Sequence, residues 1–187
     1  PTTTVNDAFK AVTRYWDRIT SPTQIVSSLA NAMSILLSPA DCGAVFIGIP
    51  QDIQATAFDC PIEFFAQVVH QIPRPRAATN EIESAVSLIA QSKRPVIIAG
   101  GGVHYSRAER NLSDFAEKHG IPVVEPVAGK SSLLGEQTEL IGPVGITGAD
   151  PVNDLVTQAA LVIAIGTRLQ AFTTGSWPLI SDKTQIL

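Results

Sequence analysis

The sequence predicts an α/β fold, a Rossmann-like parallel sheet with helices on both faces, and three observations carry it. Short runs rich in β-branched residues, Pro95–Ala99, Ile121–Val124 and Leu161–Ile165, alternate with segments of helical periodicity. The first and last of these runs end on glycine, at Gly100-Gly101-Gly102 and at Gly166. The segments between them are long enough for right-handed crossovers between parallel strands.

Taken in order, the first helix starts at Ser21, where Ser21-Pro22-Thr23-Gln24 has the spacing of a capping box with proline at N1. Ile25, Val26, Leu29, Met33, Leu36 and Leu37 then form its apolar face, and Pro39 and Gly43 end it. Ala44–Ile49, between Gly43 and Pro50, has the composition of a buried strand. Gln71–Thr79 holds Pro73 and Pro75 in a polar setting and reads as an extended interdomain linker. Asn80 caps the next helix, with Glu83 at N3 and Ile82, Ala85, Val86 and Ile89 inward. After the glycine turn, a helix from about Arg107 to His119 buries Ala108, Leu112, Phe115 and Ala116, and Gly120 ends it. A glycine-rich segment, Gly129–Gly148, leads to a helix opened by Asp150-Pro151, with Leu155, Val156 and Ala159 inward.

Composition narrows the function. The 187 residues are 45% apolar and 16% charged. That suffices for a buried core, and the charge lies below the roughly 25% of typical domains. A net charge of −4 with no basic cluster argues against nucleic acid. No apolar run nears the ~20 residues that span a bilayer. The polar start Pro1-Thr2-Thr3-Thr4 is unlike a signal peptide, and the missing initial Met is that of a piece of a longer chain. Cys42 and Cys60 read as reduced thiols of a cytoplasmic protein. No Cys/His cluster has metal-ligand spacing.

In a doubly wound sheet, ligands bind beyond the carboxyl ends of the strands. Three segments leave such ends: Gly100–Tyr105, Glu125–Lys130 and Gly166-Thr167-Arg168. Glycine amides approach a phosphate closely, and Arg168 adds a bidentate contact. The candidate cofactor contacts are therefore Gly100, Gly101, Gly102, Gly166, Thr167 and Arg168. The dinucleotide fingerprint is incomplete, because Tyr105 replaces its third glycine, while Glu125 stands near the position of a ribose-binding acid. The same glycines also suit a tight strand-to-helix turn with no ligand, and the residues alone leave both readings open. Lys130 is a phosphate or domain contact or a solvated side chain. His119 complements a helix C-terminus. His70 and His104 lack an evident partner. Trp16, flanked by Arg14, Asp17 and Arg18, reads as a domain-contact anchor.

Together these segments resemble a family. Ala44–Gln54 (AVFIGIPQDIQ) resembles the end of the pyrimidine-binding domain of thiamine diphosphate enzymes of the acetohydroxyacid synthase type. Lys93–Gly102 (KRPVIIAGGG) resembles the opening of their central domain, and Ala160–Leu169 (ALVIAIGTRL) its later strand and Gly-x-Arg turn. Val12–Ile19, Pro50–Ala55, Ala128-Gly129-Lys130 and Phe172–Ser176 look most like the inositol-catabolism branch, the trihydroxycyclohexane-1,2-dione hydrolases. The resemblance implies residues 1–72 as the C-terminal part of a pyrimidine domain, a linker at 73–79, and a central domain from 80 to 187 truncated at its end. It implies thiamine diphosphate and Mg²⁺ in an intact homodimer or homotetramer acting on a cyclic diketone. The family's catalytic glutamate falls before this chain and its Gly-Asp-Gly motif after it, so no catalytic residue is expected here and the piece alone is inactive. In some relatives the central domain holds FAD or an ADP-like nucleotide. The competing expectations are an acetolactate synthase-type carboligase or lyase, a stand-alone nucleotide-binding module, and a non-catalytic scaffold. Residues before about Thr20 are expected to be poorly anchored, and the open strand edges of the first domain to associate.

Overall fold

A computed structural model describes residues 3–133 and 137–187. Gly135 of the glycine-rich segment, and Pro1 and Thr2 of the polar start, lie outside the described residues. The chain divides into two compact units, Pro1–Pro75 and Arg76–Leu187.

The first unit contains α1 (Thr3–Asp7), β1 (Tyr15–Arg18), α2 (Gln24–Leu36), β2 (Val45–Gly48) and α3 (Gln51–Gln54). β1 and β2 pair in parallel, Tyr15 against Val45 through Arg18 against Gly48. Side chains alternate across this ribbon. Trp16 and Phe46 share one face, where Phe9 stacks on Phe46 with centroids 4.6 Å apart and Lys10 Nζ lies 4.2 Å over the Trp16 ring. Asp17 faces α2 and accepts from Ser28 Oγ and from Gln24 Nε2 at 3.0 Å.

Four expectations for this unit do not hold. The segment before Thr20 is anchored: Arg14 N–H donates to Ala44 O, Ile19 N–H to Gly48 O, and Trp16 Nε1 to Asn6 O. Helix α2 begins at Gln24, not Ser21, because the Gln24 side chain turns back to accept from Thr20 N–H at 3.0 Å. Its buried positions are Ser28 and Ala32, while Leu29 and Leu36 of the expected apolar face are exposed. Strand β2 is half-buried along its whole length rather than buried. A two-stranded ribbon with one helix on it cannot cover its apolar surface. From Ala55 to Ala78 the chain has little regular structure, and Ile62, Phe65, Val68 and Val69 are exposed.

The second unit is a five-stranded parallel sheet in the order β5-β4-β3-β6-β7. Its elements are α4 (Thr79–Gln91), β3 (Pro95–Ala99), α5 (Gly102–Ser106), α6 (Glu109–His119), β4 (Val123–Glu125), β5 (Leu140–Pro143), α7 (Asp150–Thr157), β6 (Leu161–Ile165), α8 (Ala171–Thr174) and β7 (Gln185–Ile186). The alternation along β3 sorts two cores. Ile97 and Ala99 pack with Leu112, Ala116, Leu161 and Ile163 beneath α6, and Leu88 and Ile89 of α4 close that layer. Val96 and Ile98 pack with Val124, Val152, Val156 and Val162 beneath α7. Helices therefore cover both faces, which is why β3 reads as a continuous apolar run.

Helix α4 starts at Thr79 rather than after an Asn80 cap, because Glu81, not Glu83, accepts from a backbone amide, Ala78 N–H, at 2.8 Å. Ile82 and Val86 are exposed; Leu88 and Ile89 pack inward. Strand β4 is shifted two residues past the expected start at Ile121. The helix before it begins at Glu109, after Arg107 in the left-handed region (φ 51°), and Gly120 ends it at φ 59° as expected. Strands β5 and β7 escaped the sequence reading. β5 carries Gly142 and Pro143 and a register shift on an edge, and β7 has two residues.

Candidate functional site at the switch point of the sheet

The chain builds β3, β4 and β5 outward in one direction, then crosses to lay β6 and β7 on the other side of β3. The carboxyl ends of β3 and β6 thus flank the point where strand order reverses, the usual place for a ligand in such sheets. Ala99 stands beside Ile165 in register, so Gly100-Gly101-Gly102 and Gly166-Thr167-Arg168 leave the sheet side by side.

The structure brings these six residues together and engages much of their backbone. Gly100 N–H donates to Ile165 O at 2.8 Å, and Gly102 N–H to Gly166 O at 2.9 Å. Gly166 sits at φ 60°, where a Cβ would lie 2.6 Å from Gly102 Cα. A Cβ on Gly101 would lie 2.9 Å from Ala128 O, and one on Gly129 would collide with the Ala99 carbonyl. The glycines therefore let three turns pack backbone to backbone. Two of the amides that a phosphate would need are already bonded within the protein. Thr167 Oγ1 accepts weakly from Leu169 N–H at 3.4 Å, and Arg168 is exposed with no ion pair among the described residues.

Glu125 is corrected as a ribose contact. It is buried, and its carboxylate accepts from Ser132 Oγ at 2.8 Å, Ser131 N–H at 3.1 Å and Leu133 N–H at 3.2 Å. It holds the loop that follows β4. His104 is corrected too, because it has two partners: Nδ1 lies 3.1 Å from Glu109 Oε1 and Nε2 lies 3.0 Å from Lys130 O. The bond to Glu109, and then that to the Lys130 carbonyl, raise its pKa above the ordinary histidine value. Glu109 is lowered, first by the backbone amide at its own position and then by His104. The Lys130 side chain is exposed, so the residue contributes its carbonyl. His119 lies in the last turn of α6, its ring 4.7 Å from Phe115. His70 is exposed in the irregular segment. Cys42 and Cys60 are free thiols. Sequence reasoning missed Asn153, whose amide accepts from Gly145 N–H at 3.0 Å and donates to Gly145 O at 3.1 Å, mimicking a peptide partner for the loop after β5.

Residues 82–187 match the family model for the thiamine pyrophosphate enzyme central domain. The chain belongs to this family. The likeness runs beyond the matched domain. The chain is 47% identical over 179 residues to the 3D-(3,5/4)-trihydroxycyclohexane-1,2-dione hydrolase of Clostridium perfringens strain ATCC 13124, covering 96% of this chain and 28% of that protein. The protein of the same name from Geobacillus thermodenitrificans is 45% identical over 177 residues, 95% of this chain and 28% of its own length. That of Bacillus cereus strain AH820 is 44% identical over 178 residues, again 95% and 28%. This thiamine pyrophosphate enzyme central domain and the unit before it thus span little more than a quarter of the relatives they match.

Among the described residues, no three His, Cys, Asp or Glu side chains come together as a cation site. Glu125, the buried carboxylate among the described residues, is committed to three hydrogen bonds within the protein. These residues do not fit a metal-bound diphosphate. No helix among the described residues is long and apolar enough to cross a membrane.

Proposed function

We propose that this chain is the middle portion of a thiamine diphosphate-dependent hydrolase that opens trihydroxycyclohexane-1,2-dione. In that reading it serves as a scaffold between the cofactor-binding parts of the polypeptide. The observation that carries it is identity of 44–47% sustained over both units rather than over the central domain alone. The six crevice residues act as a close-packed junction in this reading, and the bonded amides of Gly100 and Gly102 support that role. The test is the intact parent protein with thiamine diphosphate, Mg²⁺ and the cyclic dione, following loss of the diketone and release of acid. Ring opening that requires the cofactor is expected. Condensation of pyruvate with no action on the dione would replace this reading with the carboligase one. Calorimetric titration of the chain with ADP, FAD and NAD is expected to give no heat that depends on Arg168; saturable binding of any of them that Arg168→Gln abolishes would return the crevice to a nucleotide site.

A further inference from the structure

A second concavity lies at the opposite end of the sheet. Strand β3 separates it from the glycine crevice by about 16 Å, at ~3.3 Å per residue. It holds about 540 Å³, within the range of small-molecule sites, between the starts of β3 and β4 and the last turns of α4, α6 and α7. Its apolar wall includes Ile121, Leu155 and Ala159. Lys93, Arg94 and His119 also line it, and no acidic residue does. None of the three forms an ion pair among the described residues.

One feature of the lining lacks a structural explanation. Ser92 is a half-buried residue of the lining, and its Oγ, shielded from solvent, is the one buried side-chain polar atom among the described residues with no hydrogen-bond partner. A buried hydroxyl without a partner is rare in a native protein. Cations at this end also complement the three helix C-termini, each roughly half a negative charge. Several of those carbonyls are already bonded, however: Ile89 O by Ser92 N–H, Ala116 O by Ile121 N–H and Val156 O by Ala159 N–H. Dipole complementation explains the charges but not the hollow with its apolar wall and its lack of acidic residues.

We propose that this cavity binds a small organic anion, a carboxylate or phosphate monoester on an apolar body. Lys93 and Arg94 receive the charged group, and Ile121, Leu155 and Ala159 receive the body. Amide NMR on the ¹⁵N-labelled 187-residue chain tests this with phenyl phosphate, benzoate and benzyl alcohol as probes. Saturable shifts at Ser92 and Gly120 are expected with at least one of the two anions, and the stronger of the two identifies the headgroup. The neutral alcohol should bind at least tenfold more weakly, and Lys93→Gln with Arg94→Gln should weaken the anion at least tenfold. Lys93→Gln alone, at an exposed position, serves if the double variant does not fold, with a weakening of about threefold expected. Absence of saturable shifts with both anions, equal binding of the alcohol, or indifference to loss of the cations would overturn the proposal.

Discussion

Gly166 and Gly120 both adopt positive φ, 60° and 59°, yet their surroundings differ. A Cβ at Gly120 meets nothing within 4 Å, whereas one at Gly166 meets the Gly102 backbone. Gly120→Ala is therefore expected to lose about 1 kcal/mol, the left-handed penalty alone. Gly166→Ala adds overpacking to that and is expected to lose about 2–5 kcal/mol in total. Urea denaturation of the two variants measures the gap, and equal losses would contradict the close-packed junction. His104 supplies a second residue-scale test. Its pKa is raised in the folded state by Glu109 and the Lys130 carbonyl, with Glu125 adding to the effect. The contribution of this clamp is therefore fully present below the unfolded value of about 6.5 and disappears as pH rises through the higher folded value. The stability difference between the native chain and His104→Ala should shrink across that window. A histidine titration by NMR with a midpoint at or below 6.5 would refute the clamp.

Among elements, β3 shows why period alone misleads. Its five residues are apolar throughout because both faces are covered, with Ile97 beneath α6 and Ile98 above α7. Helix α4 shows the reverse: Ile82 and Val86 fall at apolar spacing but face outward, while Leu88 and Ile89 reach the core. Ile97→Ala is expected to lose about 2–5 kcal/mol. Val86→Ala should stay within about 0.5 kcal/mol, as surface changes do. Chemical denaturation of both variants checks the contrast, and a large loss at Val86 would mean that this face is covered in solution.

For the whole molecule, each of the two hydrophobic clusters lies wholly inside Arg76–Leu187. The first unit buries far less: Ile19 and Ala32 are its buried apolar residues among those described. A chain cut at residue 76 is expected to keep residues 76–187 folded, with slow amide exchange in β3 and β6. Residues 1–75 alone are expected to exchange fast. Loss of cooperative melting from 76–187 would show that its fold depends on the preceding unit. Much of this organisation was legible beforehand. Leu161–Ile165 is strand β6 to the residue, and Gly120 and Gly166 mark the ends of α6 and β6. Less legible were β1, β5 and β7, whose short lengths and glycine, proline or charge content give no periodic signal. The partners of Glu125 were hidden because they come from the irregular loop after β4, and those of His104 because one opens α6 and the other, Lys130, lies 26 positions away.

By itself, the sequence determined the parallel α/β class, the family and the glycines at the two strand ends, because local propensity and apolar spacing act over neighbouring residues. Only the tertiary structure decided which backbone groups of those glycines are engaged. Backbone hydrogen bonds between Gly100 and Ile165, and between Gly102 and Gly166, join segments more than sixty positions apart. No local pattern encodes which amides such a meeting consumes, and here it engages those of Gly100 and Gly102.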